Sequence, residues 1–273
     1  VGCCPDDLER LQRLLRLNQG LILVTGPTGS GKTTTIYGCL NTINRPEIKI
    51  ITVEDPVEYQ LPGITQVQVN RKANLTFTAA LRAFLRQDPD VIMAGEVRDY
   101  ETIQLLVLAA LTGHLVFSTL NSTSAVGTLT RLVEMGVEPF LVTAALQGVV
   151  AQRLLRKLCP HCKAPETLPA AARTHIAQLA RDGGYTLPAD AVFYRAVGCE
   201  QCADRGFRGR TGVFEVMEFT PPLREALLAR ATPAELTALA VQDGMRTLTA
   251  DGLRKAADGL TTVEEVLRVT AAM

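Results

Sequence analysis

The chain has 273 residues, 47 % of them apolar, which is enough for one large domain or two to three small ones with their own cores. Lys plus Arg and Asp plus Glu each number 28, so overall charge offers no pull toward nucleic acid or an anionic membrane. The longest apolar stretch, 105–117, is broken by Thr112, Gly113 and His114 and is too short and polar to span a bilayer, and no signal peptide is visible.

Seven cysteines, an odd number, fit a reducing cytosol better than a disulfide framework. The chain starts at Val1 rather than Met, with its first strand close behind, which suggests a piece of a longer protein. Residues 6–17 place Leu8, Leu11, Leu14, Leu15 and Leu17 at helical spacing and predict an amphipathic helix. Residues 21–24 then read as a short buried strand, and GPTGSGKT at 26–33 follows at once, leading into a helix.

That octet is the signature of a phosphate cradle. In the loop Gly26, Pro27, Thr28, Gly29, Ser30 and Gly31 the glycines let backbone N–H groups turn inward, and the helix beginning at Thr33 and Thr34 points its positive end at the anion. Lys32 reaches the terminal phosphates of ATP in this arrangement and Thr33 holds Mg²⁺. A glycine-rich surface turn is the bland alternative, and the flanking strand and helix weigh against it.

Residues 48–53 predict a second buried strand, ended by Pro56 within the acidic run Glu54-Asp55-Pro56-Val57-Glu58. Residues 64–69 alternate like a strand with one wet face, and 78–87 return to helical spacing. A third buried strand is expected over 90–96, a helix over 101–111 and a fourth strand over 115–120. The alternation predicts an α/β fold, a mainly parallel sheet covered on both faces with ligands at the carboxyl ends of its strands.

Turnover of a bound nucleotide needs carboxylates for water and metal, and positive charge where the γ-phosphate leaves. Glu54 and Glu58, just past the second predicted strand, and Glu96, at the end of the third, are the candidates for the former. The alternatives are a surface ion pair between Glu96 and Arg98 and a solvated Glu58. His114, at the start of the fourth strand, is expected beside the phosphate loop as a γ-phosphate sensor, although a lone histidine is usually structural. Arg82 and Arg86, four apart on one helical face, could grip one anion or simply be exposed.

Residues 139–158 predict a long helix leading away from this core. Cys159-Pro-His-Cys162 and Cys199-Glu-Gln-Cys202 then form paired knuckles of the kind that hold one structural Zn²⁺ through four thiolates. A disulfide or a redox CxxC are the alternatives. The long intervening loop is tolerable, since doubling a loop costs only about 0.6 kcal/mol. A helix is expected near 169–181, and beyond Gly212 the chain reads as helical, with capping-box starts at Thr232 to Glu235 and Thr262 to Glu265. The boundaries implied are a nucleotide core over 1–156, a tetracysteine module over 157–210 and a helical subdomain over 211–273.

GPTGSGKTTT at 26–35, TVEDPVEY at 52–59, RQDPDVIMAGEVRD at 86–99, TGHLVFSTLNSTSA at 112–125, the two CxxC pairs and RGRTGVFEV at 208–216 together resemble the motor half of the secretion traffic ATPases, especially those of type II secretion. The resemblance implies a RecA-like core that forms hexamers and converts ATP hydrolysis into assembly of a pilin-like fibre. It implies a cytoplasmic protein, peripheral at a bacterial inner membrane without inserting into it. The implied partners are an inner-membrane platform protein and the cytoplasmic domain of a secretion-system membrane protein, with no nucleic acid. On the matching positions Glu96 serves Mg²⁺ and water activation, Glu54 positions water, His114 senses the γ-phosphate, and Arg82 and Arg86 lie near the phosphates.

One departure is Asn121, where the family usually has a second histidine; asparagine hydrogen-bonds but does not titrate. The family's N-terminal domains also lie outside this chain, so weak hydrolysis by it alone is expected. The related pilus-extension ATPase is the nearest rival reading. A nucleic-acid motor or zinc-ribbon nucleic-acid binder, and a non-catalytic nucleotide-switched scaffold, are the rivals from other classes. Balanced charge and the absence of Trp weigh against nucleic acid.

Overall fold

A computed structural model describes residues 2–270. Helix α1 (Pro5–Leu15) forms with proline in its first turn, where the missing N–H costs nothing, and with Asp6 and Asp7 at its positive end. The chain continues as β1 (Gly20–Thr25), α2 (Lys32–Ile43), β2 (Ile50–Glu54), β3 (Thr65–Gln68), α3 (Phe77–Phe84), β4 (Val91–Ala94), α4 (Tyr100–Leu111), β5 (Leu115–Leu120) and α5 (Ala125–Glu134). Thr76, Asp99 and Ser124 cap α3, α4 and α5 by accepting a backbone N–H three residues on. Strands β1, β2, β4 and β5 are buried at every position, the pattern of parallel strands covered on both faces.

The remaining elements are α6 (Pro139–Ala145), β6 (Leu146–Leu158), β7 (Ala164–Glu166), α7 (Ala170–Asp182), β8 (Phe193–Arg195), β9 (Phe207–Glu218), α8 (Pro221–Leu228), α9 (Pro233–Gln242), α10 (Leu248–Ala257) and α11 (Val263–Thr270). Two expectations are corrected here. The long helix over 139–158 is one short helix followed by a 13-residue strand, and the chain after Gly212 continues a 12-residue strand before turning helical at Pro221. Strand β6 lies inside the sheet between β1 and β9 with a core packed on each face, so it is buried on both sides over 148–153 and the two-residue alternation that identifies a strand is hidden.

The seven-stranded sheet runs β3-β2-β4-β5-β1-β6-β9, all parallel except β9, which is antiparallel to β6. Thus the α/β class and mainly parallel sheet expected from the sequence are observed, with an antiparallel edge added. The arms β6 and β9 bracket residues 159–206, which carry the cysteine knuckles and the small β7–β8 sheet. Two cores cover the sheet faces, and a third joins Ile176, Ala180 and Phe193 of the inserted segment to Leu248, Leu253 and Val266 of the last helices. The capping box at Thr232 forms completely, whereas at Thr262 only the hydroxyl half forms, because the Glu265 carboxylate turns instead to Arg156 and Arg268. Among the described residues no helix is long and apolar enough to cross a membrane.

Candidate functional site

The loop between β1 and α2 has the backbone an anion cradle requires. Gly26 sits at φ +148°, where a Cβ would stand 2.5 Å from the Gln152 carbonyl oxygen, and Gly29 sits at φ +79° with open space before it. Thr25 anchors the base of the loop by donating its hydroxyl to Leu120 O at 3.0 Å, and Gln152 of β6 braces the back by donating Nε2 to Ser30 O at 2.7 Å. Lys32 opens α2 and donates Nζ to Gly26 O at 2.7 Å and Pro27 O at 3.1 Å. Burial and then the charge of Arg153 push its pKa down, with Glu96 opposing.

A cleft of about 740 Å³ opens before the loop, lined by Thr28, Gly29, Gly31, Lys32, Thr33 and Thr34 and, from neighbouring strand ends, by Glu54, Glu58, Glu96 and Arg210. Glu54 is buried at the tip of β2 and accepts from the Thr52 hydroxyl at 2.6 Å, from Gln66 Nε2 at 3.1 Å and from the Tyr37 hydroxyl. Burial, together with that hydrogen bond and the carboxylate's charge, raises the Tyr37 pKa, so the phenol remains a donor. Glu96 lies two residues beyond β4, with Oε1 2.5 Å from Nη2 of exposed Arg98. The surface ion pair weighed for Glu96 therefore exists, yet the contact is poorly aligned, since the same buried oxygen has no hydrogen bond.

Three expected site residues lie elsewhere. His114 is corrected: it precedes β5 at its amino end, where its carbonyl pairs with Gly20 N at 3.0 Å and its Nδ1 with Ala109 O at 2.9 Å. The phosphate loop is at the other end of parallel β1, six residues or about 20 Å away. Asn121, just past the carboxyl end of β5, reaches the loop together with Ser122 and Thr123, sharing a second cleft with Pro27, Thr28, Gly29 and Ser30. Arg82 is exposed and paired with Glu101 at 2.5 Å, and neither it nor exposed Arg86 lines the nucleotide cleft of this chain. Gln152 and Arg210 line the nucleotide cleft and Arg153 the cleft beside it, and sequence reasoning singled out none of the three. For Gln152 and Arg153 the signal was polar side chains inside an apolar run, obscured by the helical reading of 139–158, whereas Arg210 figured only within the RGRTGVFEV resemblance.

The four knuckle cysteines converge as expected. Their sulfurs all lie within 4.8 Å of one another. Cys159 to Cys199 is 3.9 Å, and Cys162 to Cys202 and Cys199 to Cys202 are 3.8 Å. A tetrahedral Zn²⁺ with bonds of about 2.3 Å puts its sulfurs about 3.8 Å apart, so the set fits zinc. Backbone N–H groups of Gly198, Cys199 and Gly206 point at the Cys162 and Cys202 sulfurs at 3.2–3.3 Å, the donors a thiolate cage needs. Burial raises the Cys202 pKa, but those N–H donors and the neighbouring thiols win and hold it down at about 7. His161 is exposed and outside the group, while burial pushes Cys39, away from the site, up to about 12.

The family described as type II/IV secretion system protein matches residues 1–268. Over 270 residues the chain is 48 % identical to type II secretion system protein E of Pseudomonas aeruginosa, covering 99 % of this chain and 52 % of that protein. It is 52 % identical over 256 residues to the type IV pilus assembly ATPase PilB of Myxococcus xanthus, covering 92 % and 44 % respectively. Among solved structures, the pilus retraction motor PilT with bound ADP superposes with a TM-score of 0.71 at 30 % identity, over 98 % of this chain and 65 % of that one. The Legionella pneumophila ATPase DotB shares the fold, with a TM-score of 0.68 at 22 % identity over 99 % and 64 %. The chain spans about half the length of the curated relatives it matches.

Proposed function

The chain belongs to the type II/IV secretion system protein family, and from that membership we propose that it is the ATP-hydrolysing motor module of a type II secretion system. The observation that carries this is the meeting, in one cleft, of the phosphate cradle, Lys32, Thr33, Glu54 and Glu96. Gly26 to Gly31 offer main-chain amides to the β- and γ-phosphates, with Lys32 neutralising charge beside them. Its ammonium already leans on the loop carbonyls, so side-chain rotation alone brings it to the phosphate oxygens. Mg²⁺, when bound, would neutralise phosphate charge, with the Thr33 hydroxyl and Glu96 as the protein groups to hold it.

The two carboxylates are held differently, which suggests different tasks. Glu54 is locked by three donors and suits orienting a water. Glu96 meets only exposed Arg98, in a close but poorly aligned contact, and suits taking a proton from that water while answering to the metal. Arg210 at the cleft rim adds positive charge where the phosphates lie. Zn²⁺ at the four cysteines would be closed off by protein sulfurs, supplying a staple at the far end of the β6–β9 hairpin rather than chemistry.

In this reading the chain works as part of a homo-hexamer at the cytoplasmic side of a bacterial inner membrane. It engages a platform protein and the cytoplasmic domain of a secretion-system membrane protein and drives pseudopilus assembly. Arg82 and Arg86, remote from their own cleft, are then placed to meet a neighbouring subunit. Titration calorimetry with ADP tests the core of the reading: affinity that depends on Mg²⁺ and is lost in Lys32→Ala supports it, and no affinity in folded protein overturns it. The 52 % identity to the Myxococcus pilus-assembly ATPase favours a second reading, extension of a type IV pilus by the same chemistry. Loss of surface pili rather than of secreted protein in a deletion strain would select it.

A further inference from the structure

A second cleft, of about 480 Å³, opens on the outer face of the phosphate loop, lined by Pro27 to Ser30, Asn121 to Thr123, Arg153, Leu154 and Arg268. Arg153 is its unusual member. It is 8 % exposed, and two carbonyl oxygens hold its guanidinium, Gln152 O at 3.2 Å and Thr123 O at 2.8 Å. Among the described residues no carboxylate stands within ion-pair distance of it. Glu215 favours its charge through space, but that buried carboxylate is spent on the backbone N–H groups of Ala125 at 2.7 Å and Leu248 at 3.0 Å.

A buried cation without a partner is costly, and it persists where an anion completes it. Five N–H donors sit on a guanidinium and the carbonyls use two, leaving a planar fork suited to phosphate oxygens. The cleft adds the buried Ser30, whose hydroxyl oxygen has no hydrogen-bond partner, and at its edge Arg268, whose charge is already paired with Glu265. Burial and the neighbouring Arg153 both disfavour the charge on Lys32, so the two cations bear on the same loop from different sides. The loop is thus positive on both faces, with nucleotide accounting for only one.

We propose that this outer cleft binds inorganic phosphate, the second product of the hydrolysis proposed above, with Arg153 as its principal cation and Asn121 at its rim. The inference rests on that reading of the nucleotide cleft. ATP hydrolysis leaves ADP in the cradle and an orthophosphate beside the loop, and a cationic seat on the loop's other face gives that anion a way out that does not require ADP to leave first. Asn121 suits the position because a neutral amide donates to phosphate at any working pH.

The test titrates orthophosphate alone into the chain, with and without Mg·ADP, followed by ³¹P NMR, with ADP affinity measured in parallel. Expected is phosphate binding that survives saturation with Mg·ADP, is weakened at least tenfold in Arg153→Gln, and is weakened at least tenfold in Asn121→Asp, with ADP affinity within twofold of wild type in both. Asn121 is exposed, so that variant keeps the test sharp should Arg153→Gln fail to fold. Phosphate that binds only in the absence of ADP, or binding unchanged in Asn121→Asp and in folded Arg153→Gln, overturns the inference while leaving nucleotide binding intact. Absence of ADP binding in the wild type overturns the nucleotide reading itself and the phosphate seat with it.

Discussion

Replacing Glu265 with glutamine removes the charge that ties the last helix to the long hairpin. The side chain is 1 % exposed and accepts from Arg156 N at 3.1 Å, Arg156 Nη2 at 2.7 Å, and Arg268 Nε and Nη2 at 2.9 and 2.8 Å. Burial alone would raise its pKa, but the hydrogen bonds and charge of the two arginines prevail and hold it at about 2, against 4.5 for an unperturbed glutamate. That lowering corresponds to about 3 kcal/mol, of which roughly half survives screening by water around two half-exposed arginines, leaving ~1.5 kcal/mol. Because the folded pKa lies below the unfolded one, this stabilisation is complete above the unfolded value near 4.5 and drains away as pH falls toward about 2. Urea unfolding should therefore find Glu265→Gln less stable than wild type by ~1.5 kcal/mol near neutral pH, with the gap much reduced at about pH 3. An equal deficit at both pH values, or none at neutral pH, would refute the assignment of the lowered pKa to this ion pair.

Lys32→Ala and Glu96→Gln should each reduce steady-state ATP turnover by at least ~100-fold, since each removes a charge placed for the transition state; near-normal phosphate release in either would sink the site assignment. Cys199→Ser should lose Zn²⁺ in metal analysis and open residues 159–202 to proteolysis while ADP binding is retained, and retention of about one zinc per chain would contradict the four-sulfur cage. His114→Ala should leave ADP affinity within about twofold of wild type, because the imidazole is about 20 Å from the loop; a larger loss would show that the two sheet ends communicate.

Much of the nucleotide site was legible in the residues. Gly26 to Thr33 declare a cradle because the chemistry needs those residue types in one contiguous turn, and Glu54 and Glu96 follow buried runs that end where parallel strands present their ligand edge. Cys159, Cys162, Cys199 and Cys202 were legible for the same reason, since each half of the cage is a local knuckle. Harder to read were β6 and β9. Their periodicity is erased by burial on both faces, so Leu146 to Leu158 looks as apolar as a core helix.

Local chemistry is thus what this sequence determines by itself: the phosphate loop, the acids that end β2 and follow β4, the paired cysteine knuckles, and an alternation that demands a parallel sheet. Tertiary structure decided which end of a strand faces the loop, placing Asn121 there and His114 opposite. It also brought Arg153 and Gln152 behind the cradle and turned Glu215 toward the starts of α5 and α10. Those outcomes depend on strand direction and on pairings between residues about a hundred positions apart, and no spacing along the chain encodes either until the sheet has closed.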